Sequence, residues 1–93
     1  MEMSTGTVVL ATAGRDRDGF FFVVGESEGF PLLADGKRRK LARPKRKNPQ
    51  HLRIPAMDGF EHPVIEKLKQ GTPVFDREVR QALAAFKEGN SLG

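Results

Sequence analysis

Residues 6–47 read GTVVLATAGRDRDGFFFVVGESEGFPLLADGKRRKLARPKRK, and their punctuation decides the fold. Short apolar or β-branched runs alternate with glycine-bounded polar turns, the pattern of closely spaced strands. The spacing predicts strands at residues 6–12 (after Gly6), 20–24 and 30–34. Between them lie a loop at 13–19 and a turn at 25–29, with Pro31 marking an edge or a strand start. Asp35-Gly36 is a favoured tight-turn dipeptide, because both residues tolerate positive φ. It predicts a return strand at 37–42 ended by Pro44, and residues 51–54 predict a short fifth strand. Five short strands within some fifty residues read as a small barrel, since so small a sheet curls to bury one face and remove its edges.

Beyond this barrel, at about residues 5–54, the period changes. Residues 55–60 read as a linker. Residues 61–70 predict a short helix with Val64, Ile65 and Leu68 on one face and Gly71 as its stop. A second helix starts at Thr72-Pro73 or Asp76 and carries Val79, Ala82, Leu83 and Phe86 at i, i+3, i+4 and i+7. Gly89 is its expected stop, with a frayed tail after it. The expected architecture is mainly β: a five-stranded barrel followed by two short C-terminal helices at 61–89, their apolar faces packed on each other or on the barrel.

Charge is segregated along the chain. Residues 1–35 carry a net −4, residues 36–57 carry +9 without one carboxylate, and residues 58–93 carry −1, giving +4 over 93 residues. The basic run comprises Lys37, Arg38, Arg39, Lys40, Arg43, Lys45, Arg46, Lys47 and Arg53. A merely solvated face usually mixes signs, and like charges this dense repel, so the run points to a polyanion partner. On an extended strand Arg38 and Lys40 would face solvent, while Lys37 and Arg39 share the face of Leu41. Pro44 and Pro49 keep the segment holding Lys45, Arg46 and Lys47 extended and loop-like. Arg15 and Arg17 in the 13–19 loop are a second candidate phosphate contact; by charge alone, pairing with Asp16 and Asp18 is the slightly better account of them.

Phe20, Phe21 and Phe22 could stack on unpaired bases. Consecutive phenylalanines in a strand more often fill a core on one face and pack a covering element on the other, which is the reading preferred here. The chain has no cysteine, which removes disulfides and cysteine zinc sites, and its two histidines, His51 and His62, form no short ligand pair. No phosphate-cradling glycine motif or nucleophile elbow is present, and Glu61-His62 before a proline reads as a helix-start cap. The reading is therefore no enzyme, no metal, no cofactor and no small-molecule substrate. The N-terminus shows no signal-peptide core or membrane span, so the expectation is a cytoplasmic protein.

The segments GTVVLATAGRDRDGFFFVV (6–24) and LLADGKRRKLARPKRKNPQHL (32–52) resemble KOW-motif proteins, specifically the bacterial proteins related to ribosomal protein L14e. The resemblance covers about the first 54 residues; the helical tail matches only in general character. It implies an SH3-like barrel that binds RNA, often ribosomal RNA, without catalysis or cofactor. It implies that the loop between the first two strands touches RNA, which carries over to Arg15 and Arg17. The motif places a glycine and then a basic residue in that loop, where this chain has Asp18-Gly19-Phe20. The expected function is RNA binding through phosphate contacts by Arg15, Arg17, Lys37, Arg38, Arg39, Lys40, Arg43, Lys45, Arg46 and Lys47, with ribosomal proteins as further partners. A protein-interaction adaptor of the translation or transcription machinery, acting through apolar residues such as Phe21 or Phe60, is the alternative. Non-specific binding to DNA or an anionic membrane stands behind it.

Overall fold

The computed structural model describes residues 3–55 and 60–91. The chain is mainly β, with strands β1 (Val8–Ala11), β2 (Phe20–Ser27), β3 (Phe30–Ala34), β4 (Lys45–Arg46) and β5 (Leu52–Arg53). Helices α1 (Pro63–Gln70) and α2 (Asp76–Ser91) follow. The strands form one curled antiparallel sheet in the order β4-β3-β2-β1-β5, and a 3-10 turn at Pro49–His51 precedes β5.

The β2–β3 hairpin is tighter than the sequence predicts. Residues 25–27 stay in the strand, and the connection is two residues, Glu28 and Gly29, with φ of 51° and 84°. Positive φ at both central residues makes a turn whose twist matches that of the flanking strands. One extra residue is absorbed where Val23 opposes Leu33 but Gly25 opposes Leu32, a bulge that bends β2.

The triple phenylalanine is divided by the pleat. Phe21, wholly buried, joins Val9, Ala11, Val23, Leu33 and Leu52 inside the curl of the sheet. Phe22 and Val8 face the other way, into a cluster with Val64, Val79, Ala82, Leu83 and Phe86 of the helices. Phe20 sits edge-on to Phe86, ring centroids 5.5 Å apart. Burying such a side chain contributes roughly 1.5–3 kcal/mol each. The expected helix faces thus pack on each other and on the sheet.

Both helix starts are capped locally. The His62 ring nitrogen Nδ1 accepts from the Val64 N–H at 3.2 Å, with Pro63 in the first turn, as the cap reading of Glu61-His62 requires. Gly71, at φ 74°, ends α1. At α2, Glu78 accepts the Phe75 N–H at 2.8 Å and also takes the Lys67 ammonium, tying the helices together. The expected stop at Gly89 is not used: the helix runs through it to Ser91. The expected linker at 55–60 lies largely outside the described residues.

The return strand predicted at residues 37–42 does not form. Asp35 and Gly36 both donate to the Arg39 carbonyl, and the Asp35 carboxylate accepts the N–H groups of Lys37 and Arg39. That is a compact turn, and the next segment is captured by α2. The Leu41 N–H donates to Asp76 Oδ1 at 2.8 Å, and Arg80 donates to the Gly36 carbonyl at 2.6 Å. Backbone groups that a ladder would need are spent on the helix, so the strand pairing with β3 begins only after Pro44.

Candidate nucleic-acid interface

Asp16 lies in the β1–β2 loop, is 4 % exposed, and organises the basic region. Arg39 grips its carboxylate with two hydrogen bonds, Nε to Oδ1 at 3.2 Å and Nη2 to Oδ2 at 3.1 Å. Lys47 Nζ stands 3.7 Å from Oδ2 and donates to the Ala13 carbonyl at 2.9 Å. Burial opposes the charge on Asp16, yet the bonds from Arg39 and the charges of Arg39, Lys47 and Arg38 outweigh it and hold its carboxyl below the usual aspartate value. One buried anion thereby fastens the β1–β2 loop to both halves of the basic run.

This arrangement sorts the ten cations singled out from sequence. Lys47 is 9 % exposed and satisfied internally, and Arg39 is spent on Asp16. Both were expected on the contact surface; the structure buries Lys47 and ties the partly exposed Arg39 to Asp16, because a buried carboxylate needs neutralising cations. Arg46 is exposed, pairs with Glu28 at 3.1 Å and lies over the Phe30 ring, 5.6 Å from its centroid. Arg15, Arg17, Lys37, Arg38, Lys40, Arg43 and Lys45 are exposed and, among the described residues, make no side-chain hydrogen bond or ion pair. The local pairing of Arg15 and Arg17 with Asp16 does not occur, because Asp16 turns to Arg39 and Lys47 instead.

The loop geometry also bears on Asp18. Its φ is 71°, whereas Gly19 is not in the positive region, so an aspartate occupies a backbone position that suits glycine. Its N–H donates to the Ala11 carbonyl at 2.8 Å, and its side chain is exposed beside Arg17.

Sequence reasoning missed Arg80 and Lys87. They lie one and three turns into α2, and with Lys37 and Arg38 they line a groove of about 490 Å³ between the helix and the basic turn. The signal in the sequence is the i, i+7 spacing of two cations on the helix stripe next to the apolar one. Of the three phenylalanines offered as stacking platforms, Phe21 and Phe22 are fully buried. Among the described residues no group of three His, Asp or Glu side chains could hold a metal ion, and no helix is long and apolar enough to cross a membrane. No family model and no curated protein matches the chain.

Proposed function

We propose that this chain is an RNA-binding module with an SH3-like barrel, holding the phosphate backbone of structured, ribosomal-type RNA through its exposed basic loops. The carrying observation is the Asp16 junction, which joins two segments whose outward cations make no side-chain hydrogen bond or ion pair among the described residues. Arg15, Arg17, Lys37, Arg38, Lys40, Arg43 and Lys45 supply the phosphate contacts. Arg39 and Lys47 support them from beneath. The strand order and the 3-10 turn before β5 favour the SH3-like assignment, and the KOW-like segments agree with it. Binding of this kind is ionic, so affinity falls with salt by a slope of about −0.7 to −0.9 per phosphate neutralised.

The test is the salt dependence of binding to a structured ribosomal RNA fragment by the wild type and by Lys40→Glu/Arg43→Glu/Lys45→Glu. A shallower slope and weaker binding at low salt are expected of the variant. Unchanged affinity at low salt removes the basic loops from the contact.

The adaptor reading retains one supporting feature. An apolar depression of about 280 Å³ lies between sheet and helices, lined by Val24, Leu32, Leu41, Pro44, Leu68 and Val74. The apolar anchors this reading would use serve the fold: Phe21 is buried, and Phe60 packs edge-on to Phe86 at 5.1 Å. Binding that survives high salt would favour this reading over RNA.

A further inference from the structure

We propose that the groove between the 35–38 turn and α2 seats one unpaired nucleotide of the bound RNA, with its base on the apolar floor and its phosphate on the rim. The inference rests on the RNA reading and assigns it a second, chemically different site.

The groove, about 490 Å³, falls within the roughly 300–1,000 Å³ of ligand clefts. Its walls come from distant parts of the chain. Lys37 and Arg38 stand on the basic turn, Arg80 and Lys87 on the helix. The floor is different: Phe20, Leu83 and Ala84, with the exposed Ala84 leaving room where a longer side chain would stand. Arg80, Leu83, Ala84 and Lys87 recur at i, i+3, i+4 and i+7, so one helix face offers cation, apolar floor and cation in series.

The walls are held in place before any ligand arrives. Arg80 is pinned to the Gly36 carbonyl at 2.6 Å. Phe20 is braced edge-on by Phe86. The Asp35 carboxylate, on the groove's edge, already accepts the N–H groups of Lys37 and Arg39, and Glu88 has a partner of its own within the chain.

An apolar floor under a cationic rim matches a nucleotide, which has a flat π-face and an anionic backbone. A duplex stacks its bases away and presents phosphates alone, so it gains nothing from the floor. The groove therefore predicts a preference for unpaired RNA that the exposed loops do not provide.

The experiment compares a stem–loop RNA with an unpaired uridine loop and the fully paired duplex of the same stem, by fluorescence anisotropy at one ionic strength. Ala84→Leu fills the floor at an exposed helical position without altering charge, Lys87→Glu reverses the rim, and Lys45→Glu probes the basic strand β4 outside the groove. The wild type is expected to favour the stem–loop. Ala84→Leu should weaken the stem–loop by roughly tenfold and spare the duplex, as loss of one stacked base does. Lys87→Glu should weaken the stem–loop more than the duplex.

Wild-type-like stem–loop binding by Ala84→Leu overturns the proposal, and so does an equal loss on both RNAs with Lys87→Glu. If Lys45→Glu still weakens both RNAs in those cases, the phosphate reading stands without the groove. Failure of the wild type to bind either RNA removes both.

Discussion

Arg39 reaches across 23 residues of sequence to meet Asp16 with two hydrogen bonds, at 3.2 and 3.1 Å. The pair is bidentate, which fixes the guanidinium plane as well as its charge. Lys47 completes the junction from the other end of the basic run. The charge centre of the protein is thus an anion, and the cations arrange themselves around it.

Replacing Asp16 by Asn leaves Arg39 and Lys47 without a counter-charge at a site closed to water. The half-exposed Arg39 can recover some hydration, so the expected loss is about 2 kcal/mol rather than the larger penalty of a fully buried pair. Urea unfolding of Asp16→Asn against the wild type measures it, and a midpoint shift without a change in slope is the expected form.

The same carboxylate makes stability depend on pH. Its folded-state pKa is lowered, so its contribution is present above the unfolded aspartate value and fades as pH falls through the folded one. Glu78, held low by the Lys67 hydrogen bond and the Phe75 N–H, acts in the same direction. The melting temperatures of wild type and Asp16→Asn should therefore differ at neutral pH and converge below the ordinary carboxylate range. A gap that stays constant into acid would assign the effect to packing.

Cations of this chain divide into two kinds with opposite phenotypes. Lys47→Ala should lower stability by about 1–3 kcal/mol, because the Ala13 carbonyl loses its donor and Asp16 keeps Arg39 as its remaining ion-pair partner. Lys45→Ala, two residues away and exposed, should change stability by less than about 0.5 kcal/mol. Under the RNA reading, Lys45→Ala instead makes the salt slope shallower by about 0.7–0.9. Paired thermal melts and salt titrations separate the two.

Gly36 is a mechanical contact as well as a turn. At φ 78° it lies against the start of α2, where an added Cβ would collide with the Asp76 carbonyl and crowd Arg80. Gly36→Ala should cost about 1–3 kcal/mol, the usual scale of such backbone strain. Hydrogen exchange should quicken first at the Leu41 N–H, whose acceptor is Asp76.

Asp18 offers the reverse case. Glycine adopts its φ of 71° freely, so Asp18→Gly is expected to raise stability by up to about 1 kcal/mol. It also removes an exposed acid beside Arg17, and under the RNA reading affinity should rise. Calorimetry and an RNA titration on one preparation read both.

Strands β1, β2, β3 and β5 and the division of Phe20, Phe21 and Phe22 were legible because they follow from the two-residue period and local turn chemistry, whereas Lys45 and Arg46, read as loop, form β4. Residues 30–34 form the predicted strand without adjustment. The failure at 37–42 has a different origin. Nothing local tells that the Leu41 N–H will be claimed by Asp76, 35 residues on, or that Arg80 will hold Gly36. The burial of Lys47 was equally hidden, since it depends on Asp16 withdrawing from its neighbours Arg15 and Arg17. The clustering of cations was visible in the sequence, whereas their separation into structural and outward-facing members needed three-dimensional contacts.

The pleat of β2 sends Phe21 to one apolar cluster and Phe22 to the other, so the sheet is a partition wall with a packed room on each side. The helices close one room and the curl of the sheet closes the other. Stripping the helices would open Phe22 and Val8 to water, and loosening the barrel interior would remove the surface on which the helices lie. Barrel and helices are thus obliged to melt in a single cooperative step, and a truncated barrel would carry a sticky outer face in place of a finished surface.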